Sequence, residues 1–171
     1  GKTDGKWTWR KKPPTPWRLV GEHFQLALKP TEFGHLGVFP EQAANWNWIA
    51  EKVRRAGRPL KVLNLFGYTG GSTLAAAAAG AEVTHVDAAK NVVGWARRNA
   101  ELSDLGERPI RWITEDATRF VGRELRRENF YDAIVMDPPS YGHGPKGEVW
   151  KLATDLTQLV ADCAELVQRR P

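Results

Sequence analysis

The sequence predicts an α/β fold built around a parallel β-sheet, and two observations lead to this prediction. From residue 61 onward, short apolar segments alternate with segments of helical periodicity, at the spacing of βαβ units. A glycine-rich turn follows the first apolar segment, where α/β folds often bind a ligand. The length of 171 residues and the 42% hydrophobic content suit a single core, and they exclude a disordered tail, a collagen-like fibre or a disulfide scaffold.

Residues 1–40 are predicted to form an N-terminal arm followed by short strands. Three prolines between residues 13 and 16 favour an extended arm over residues 1–16. The strand candidates, separated by glycine-containing turns, are Trp17–Val20, Phe24–Leu28 and Leu36–Phe39. A second unit over residues 41–171 is predicted to begin with a helix at Glu41–Ala56, which ends before a glycine and a proline.

The rest of the chain gives four strand–helix pairs. Short apolar runs predict strands at Lys61–Phe66, Glu82–Val86, Ile110–Thr114 and Asp132–Met136. Helical periodicity predicts helices at Ser72–Ala79, Ala89–Leu102, Thr118–Asn129 and Val149–Val167. Strands in such a series lie parallel, so their carboxyl ends meet at one edge of the sheet.

Positive charge and tryptophan are concentrated near the start of the chain. The net charge is +5, but residues 1–60 hold 11 basic and 5 acidic side chains, together with five of the eight tryptophans. Such a segment is typical of a surface that contacts a polyanion, with nucleic acid as the leading candidate. A solvated basic arm whose tryptophans pack on the body of the protein explains the same pattern, and the sequence leaves both interpretations open.

The cysteine content and the hydropathy exclude several classes. Cys163 is the only cysteine, so neither a disulfide framework nor a zinc cluster of thiolates is expected, and no metal site is predicted. No apolar run reaches the roughly 18–20 residues of a membrane span, so no membrane contact is predicted. These features favour a cytoplasmic location.

The loop after the first strand of the predicted sheet is a candidate ligand loop. It consists of Phe66, Gly67, Tyr68, Thr69 and Gly70, and its glycines allow the backbone to approach a ligand where a helix begins. The glycine spacing matches neither the Walker phosphate loop nor the dinucleotide-binding pattern. A glycine-rich turn without a ligand is the alternative.

Carboxylates follow the second and third strands of the predicted sheet. Asp87, with Ala88 beside it, ends the second strand, where a carboxylate accepts hydrogen bonds from the hydroxyls of a ribose. Asp116, followed by the small residue Ala117, comes after the third strand and is placed to accept a bond from the exocyclic amine of an adenine. Each of these acids is also a candidate helix N-cap.

The fourth strand ends in the most specific motif of the chain, Asp137-Pro138-Pro139-Ser140-Tyr141. Two prolines impose a rigid, extended exit from the strand. This exit presents the Asp137 carboxylate, the Pro138 carbonyl and the Tyr141 ring together. Acceptors beside an aromatic face suit a planar heterocycle that carries an amine.

These residues resemble the class I S-adenosylmethionine-dependent methyltransferases, and more narrowly the group that modifies cytosine or guanine in large-subunit ribosomal RNA. The resemblance covers about residues 33–168. It is carried by the run from Leu63 to Gly71, by Asp87 and Asp116, by Asp137 to Tyr141, and by an upstream segment, Gly34 to Gln42, that in this group helps to enclose the cofactor. This chain departs from the group at Pro40-Glu41 and Ala43.

The resemblance implies a Rossmann-like sheet, S-adenosyl-L-methionine as the cofactor and RNA, ribosomal RNA in the first place, as the partner. The cofactor would contact Phe66 to Gly70, Asp87, Ala88, Asp116, Ala117 and Asp137, while Asp137, Pro138 and Tyr141 would hold the base. Methylation of an exocyclic amine and methylation of cytosine C5 through a cysteine both fit at this point. A small-molecule or protein methyltransferase, or a cofactor-binding piece without activity, are the alternatives.

The resemblance also bears on the extent of the sheet. Sheets of this class normally have seven strands, whereas four are placed here after short N-terminal strands. The sequence therefore predicts that the later strands are missing, with the fourth strand at the edge of the sheet.

Overall fold

A computed structural model of the protein describes residues 7–32 and 34–168, so residues 1–6 of the predicted arm and residues 169–171 lie outside the described residues. The strands are β1 (Arg18–Val20), β2 (Gln25–Ala27), β3 (Lys61–Leu65), β4 (Glu82–Asp87), β5 (Ile110–Thr114), β6 (Ala133–Met136), β7 (Tyr141–His143) and β8 (Val149–Lys151). The α-helices are α1 (Ala43–Arg55), α2 (Gly71–Ala78), α3 (Lys90–Leu102), α4 (Ala117–Arg126) and α5 (Leu152–Gln168), and a 3₁₀ turn over Pro40–Gln42 precedes α1.

Four parallel strands form the central sheet in the order β5-β4-β3-β6, which confirms the predicted fold class. The register places Val62 of β3 opposite both Val83 of β4 and Ala133 of β6. The chain runs outward from β3 to β5 and then returns to the other side of β3 for β6. A crevice for a ligand is expected where the strand order reverses, between the carboxyl ends of β3 and β6.

Helices cover both faces of this sheet. On one face, α1 and α2 pack on β3 and β4 through a cluster of small and branched side chains, Ile49, Val53, Val62, Ala76, Ala77, Ala81 and Val83. On the other face, α4 and α5 pack through larger side chains that include Phe120, Leu159, Cys163 and Leu166. Strands covered by helices on both faces are rich in apolar residues, and this made the strands of the sheet recognisable in the sequence.

The N-terminal strands β1 and β2 pair with each other and with no other strand of the described chain. Phe24 and Leu26 of this hairpin are buried against Trp46 and against side chains of α2 and α3. The third strand candidate, Leu36–Phe39, is wrong, because this segment forms a turn and an extended connection to the 3₁₀ turn instead. Within the described residues, β5 and β6 are therefore the two edges of the sheet.

A second hairpin, β7 and β8, lies between β6 and α5 along the chain and was not predicted. Gly142 lies opposite Trp150, and the Leu152 N–H donates to the Ser140 carbonyl at 3.0 Å, which closes the hairpin base. The predicted start of the last helix at Val149 is wrong for this reason, and α5 begins at Leu152. No helix in the described part of the chain is long and apolar enough to cross a membrane.

Candidate active site

A cavity of about 580 Å³ lies at the carboxyl ends of β3, β4, β5 and β6. Its volume falls in the range of about 300–1,000 Å³ that small-molecule sites occupy. Its floor and walls are formed by Phe66, Tyr68, Val86, Asp87, Ala88, Ala89, Glu115, Asp116, Ala117, Asp137, Pro138 and Pro139, and its outer side by His35, Phe39, Glu41, Gln42, Gly142, His143, Gly144 and Trp150. A smaller pocket of about 50 Å³ adjoins it and shares Phe39, Gln42, Phe66, Tyr68 and Asp137.

The loop between β3 and α2 is held in a strained conformation. Phe66 and Tyr68 adopt the left-handed region with φ of 55° and 48°, and Gly70 follows with φ of 98° as the N-cap of α2. Bulky residues seldom adopt this region, and such strain is found where the surrounding structure enforces it. Here the enforcement comes from the loop's own bonds: the Gly67 N–H donates to the Val86 carbonyl at 3.0 Å, and the Tyr68 N–H donates to Asp87 Oδ2 at 2.9 Å.

A buried polar network supports this loop from below. Asn64 Nδ2 donates to Thr73 Oγ1 at 2.8 Å, and the same hydroxyl lies 2.8 Å from His85 Nδ1. Burial lowers the pKa of His85 to about 3, so the ring is neutral at physiological pH. The Gly67 backbone rests directly on this ring, because a Cβ at position 67 would lie 2.4 Å from His85 Cε1.

Thr69 ties the same loop to the N-terminal part of the chain. Its hydroxyl donates to the Gly37 carbonyl at 2.7 Å, and its carbonyl accepts from Asn99 Nδ2 at 2.9 Å. Asn99 Oδ1 in turn accepts the Ala27 N–H of β2 at 2.9 Å. Thr69 is therefore occupied by structural hydrogen bonds and lines the smaller pocket, not the main cavity.

Asp87 presents a nearly enclosed carboxylate to the cavity. Its Oδ2 accepts the Tyr68 N–H and its Oδ1 accepts the Ala89 N–H, both at 2.9 Å. Burial raises the pKa of Asp87, and the two backbone donors oppose this shift. The suggestion that Asp87 is a helix N-cap is wrong, because α3 begins at Lys90 and its N-cap is Ala89.

Asp116 acts as a cap and also lines the cavity. It is the N-cap of α4, and its Oδ1 accepts the Arg119 N–H at 3.0 Å and the Thr118 hydroxyl. Its Oδ2 accepts no hydrogen bond from a described residue. The neighbouring Glu115 is paired with the Arg123 guanidinium through both carboxylate oxygens, which neutralises much of its charge.

The Asp-Pro-Pro segment is fixed by two side chains from other elements, one of them 95 residues away in the sequence. Gln42 Nε2 donates to Asp137 Oδ2 at 3.0 Å. Trp150 Nε1 donates to the Pro139 carbonyl at 2.7 Å, and the Trp150 ring packs against Phe66 with centroids 4.9 Å apart. The Pro138 carbonyl accepts no hydrogen bond from a described residue, so the site keeps an acceptor beside the Asp137 carboxylate.

Tyr141 lies apart from the other predicted site residues. Its ring is 54% exposed at the start of β7 and meets the His143 ring edge-on at 5.1 Å. Tyr141 does not belong to the cavity lining, whereas its neighbours Gly142 and His143 do. The ring is therefore exposed beside the cavity and is not part of its wall.

Most of the predicted cofactor residues meet in one place. Phe66, Tyr68, Asp87, Ala88, Asp116, Ala117, Asp137 and Pro138 line the main cavity, while Gly67 and Thr69 line the adjoining pocket and Gly70 caps α2. Sequence reasoning missed Trp150 as a wall of the cavity and Gln42 as the partner of Asp137. Val149–Lys151 alternates between exposed and buried as a short strand does, but three residues are too few to reveal this from the sequence.

The charge of the lining distinguishes between cofactor classes. Five acidic side chains line the cavity, and the described lining contains no lysine or arginine: the acids are Glu41, Asp87, Glu115, Asp116 and Asp137. Such a lining repels the phosphates of a dinucleotide or a nucleoside triphosphate. S-adenosylmethionine carries a sulfonium cation and no phosphate, so the residues present fit this cofactor.

Comparison with known proteins agrees with this geometry. A family model described as S-adenosylmethionine-dependent methyltransferase matches residues 2–168. The ribosomal RNA large subunit methyltransferase K/L of Hahella chejuensis is 33% identical over 153 residues, which are 88% of this chain and 20% of that protein. The crystal structure of a SAM-dependent methyltransferase from Agrobacterium tumefaciens superimposes with a TM-score of 0.93 at 48% identity, over 99% of this chain and 55% of that chain.

A more distant crystal structure, of a putative methyltransferase complexed with SAH, shares the fold with a TM-score of 0.81 at 23% identity, over 95% of this chain and 42% of that chain. The chain spans a fifth or less of the length of the first curated relatives that it matches. These matches confirm the predicted fold and the family that the sequence resembles. The chain belongs to the S-adenosylmethionine-dependent methyltransferase family.

Proposed function

We propose that this protein transfers a methyl group from S-adenosylmethionine to an exocyclic amine of a base in RNA, with ribosomal RNA as the substrate. The observation that carries the proposal is the pair of acceptors at the end of β6. The Asp137 carboxylate is held by Gln42, and the Pro138 carbonyl beside it has no donor among the described residues. Two adjacent acceptors match the two N–H groups of an exocyclic amine.

In this proposal, the chain's residues position the nucleophile. When bound, the cofactor supplies a methyl group that its sulfonium already activates. Asp137 and the Pro138 carbonyl would accept hydrogen bonds from the two amine N–H groups and so orient the nitrogen lone pair toward the methyl group. Asp137 would accept the proton that the nitrogen loses on methylation. Orientation of this kind supplies a large part of a rate enhancement.

The environment of Cys163 argues against this residue as the nucleophile for methylation of cytosine C5. That reaction needs a thiolate nucleophile near the base. Cys163 is buried in the cluster between α5 and the sheet, away from the cavity lining. Burial raises the pKa of Cys163 to about 12, which leaves almost no thiolate at neutral pH. Amine methylation needs no such residue.

Three features support RNA as the substrate class. The curated relatives are named as ribosomal RNA large subunit methyltransferases. The excess of basic side chains in residues 1–60 suits a polyanion. Two of the residues that line the cavity, His35 and His143, are exposed to solvent, which leaves room for a base to enter. A cytoplasmic location accords with this substrate.

The proposal is tested with the full-length protein, labelled cofactor and total RNA, followed by nucleoside analysis. We expect label in a base that carries a methylated exocyclic amine. The Asp137→Ala variant is expected to lose transfer while its affinity for the cofactor, measured by calorimetry, stays within about threefold, because most cofactor contacts lie on other residues.

Asp162→Ala is the matched control, since Asp162 is a carboxylate on α5 outside the cavity lining, where it accepts a bond from Gln158. This variant is expected to transfer at the wild-type rate. Wild-type turnover by Asp137→Ala would refute the role of Asp137. Label found in protein or in small molecules, with none in RNA, would refute the proposed substrate.

A further inference from the structure

We propose that Trp7 and Trp9 form a platform on which bases of a single-stranded nucleic acid stack as the strand approaches the cavity. This inference deepens the proposed function and rests on it, because the strand would carry the base that is methylated. The platform supplies a contact that the cavity itself does not offer.

The first step of the argument is the geometry of the two indole rings. They stack on each other with centroids 5.9 Å apart and an interplanar angle of 13°. Trp7 remains 39% exposed and Trp9 46% exposed. Trp17 braces Trp9 from the side with an edge-on contact at 6.1 Å. The rings therefore pack on one another and leave aromatic surface to solvent, which single-strand binding proteins use for base stacking.

The second step is the position of the rings relative to the cavity. Trp7 Nε1 donates to the Thr31 carbonyl at 2.8 Å, and Thr31 Oγ1 accepts the His35 N–H at 3.2 Å. His35 lines the cavity, and its ring lies edge-on to the Phe39 ring at 5.3 Å. One turn thus joins the tryptophan platform to the outer wall of the cavity, and it fixes the platform before any strand binds.

The third step is the distribution of charge. The cavity lining is acidic and repels phosphate, so the backbone of a nucleic acid has to stay outside it while one base enters. The segment that follows Trp9 supplies the matching charge: Arg10, Lys11 and Lys12 are exposed and form no ion pair with a described residue. Cations beside stacked aromatic rings suit a nucleic acid strand better than an apolar protein surface.

The test measures binding of a fluorescein-labelled oligoadenylate RNA to the full-length protein by anisotropy, with a duplex RNA of the same length as comparison. The double variant Trp7→Ala/Trp9→Ala is expected to bind the single strand at least about fivefold more weakly for each ring removed. Affinity for the duplex, which offers no free base faces, is expected to change by less than about twofold. The double variant Trp7→Phe/Trp9→Phe keeps aromatic faces and lacks the indole N–H, and it is expected to recover most of the single-strand affinity.

The matched control is Trp48→Ala, because Trp48 is 58% exposed on α1 and lies away from the platform, where the Lys52 ammonium sits over its ring at 5.4 Å. This variant is expected to bind the single strand as the wild type does. Calorimetry with S-adenosylmethionine monitors the fold, and every variant is expected to retain cofactor affinity.

Three results would overturn the platform: wild-type single-strand affinity in Trp7→Ala/Trp9→Ala, an equal loss in Trp48→Ala, or a loss of cofactor affinity that reveals a purely structural role. Strand binding that depends on the platform, combined with no methyl transfer to any RNA, would count against the proposed function alone. The two proposals therefore fail in distinguishable ways.

Discussion

A methyl group added at Gly67 tests how the surrounding structure supports the loop between β3 and α2. In Gly67→Ala the new Cβ would lie 2.4 Å from His85 Cε1 and 2.5 Å from His85 Nδ1. The ring cannot swing aside easily, because it is fully buried and its Nδ1 lies 2.8 Å from the Thr73 hydroxyl. Overpacking of this kind costs about 1–3 kcal/mol.

The clash can be relieved by a shift of His85 or by a shift of the loop, and a different measurement detects each. If the His85 ring and β4 give way, the free energy of unfolding in urea falls by about 1–3 kcal/mol. If the loop gives way, S-adenosylmethionine binding weakens by the same free energy, which is about 5- to 150-fold in Kd by calorimetry. The two losses together should account for the full strain.

Gly94→Ala serves as the control for adding a methyl group. Gly94 lies within α3, and a Cβ there would meet only the flexible end of Arg98, at 3.7 Å. This variant is expected to be unchanged or up to about 1 kcal/mol more stable. His85→Ala combined with Gly67→Ala should cost less than the sum of the single changes, since the clash disappears. If Gly67→Ala unfolded and bound the cofactor as the wild type does, the claim that the loop packs directly on the His85 ring would be refuted.

Three further predictions concern other parts of the site. Burial raises the pKa of Asp87, so the folded state keeps a proton that the unfolded state has released. The free energy of unfolding, measured by urea titration, should then fall as pH rises from the ordinary Asp pKa to the raised one. Cofactor affinity, measured by calorimetry, should rise over the same range. Asp87→Asn should lose both of these pH dependences. Trp150→Phe removes the N–H that holds the Pro139 carbonyl and should slow single-turnover methyl transfer with little change in cofactor Kd; an unchanged rate would contradict this. Because the pKa of Cys163 is raised to about 12, the folded protein should resist thiol reagents and Cys163→Ala should keep its activity, whereas a loss of transfer in this variant would revive the cytosine route.

The central sheet was predictable because its physics is local. Strands covered by helices on both faces are largely apolar. β3 is apolar except for Lys61 and Asn64, and β4 contributes Val83 and Val86. Once their parallel order was inferred, the carboxylates at their ends had to meet at one edge. The cavity containing Asp87, Asp116 and Asp137 therefore followed from the sequence, although the role of each acid did not.

The remaining features depend on contacts between distant residues. Gln42 and Asp137 are 95 positions apart, and only the fold brings their side chains to 3.0 Å. The β7–β8 hairpin was missed for a different reason: each of its strands has only three residues, which is too short a pattern to recognise in the sequence. Tyr141 was assigned to the site from the Asp137–Tyr141 motif, whereas it lies on the hairpin outside the cavity lining.

The two sides of the cavity differ in how their residues are held. The cofactor side, with Gly67 resting on His85 and Thr69 bonded to Gly37, is fixed by buried hydrogen bonds. The substrate side carries exposed groups, such as Tyr141 and the indole of Trp9, on short hairpins and on the arm. This combination suits the proposed function, in which the cofactor stays in place while a base enters from a strand. Under that proposal the acidic cavity and the basic arm keep the phosphate backbone outside, which favours looped or single-stranded RNA over a duplex.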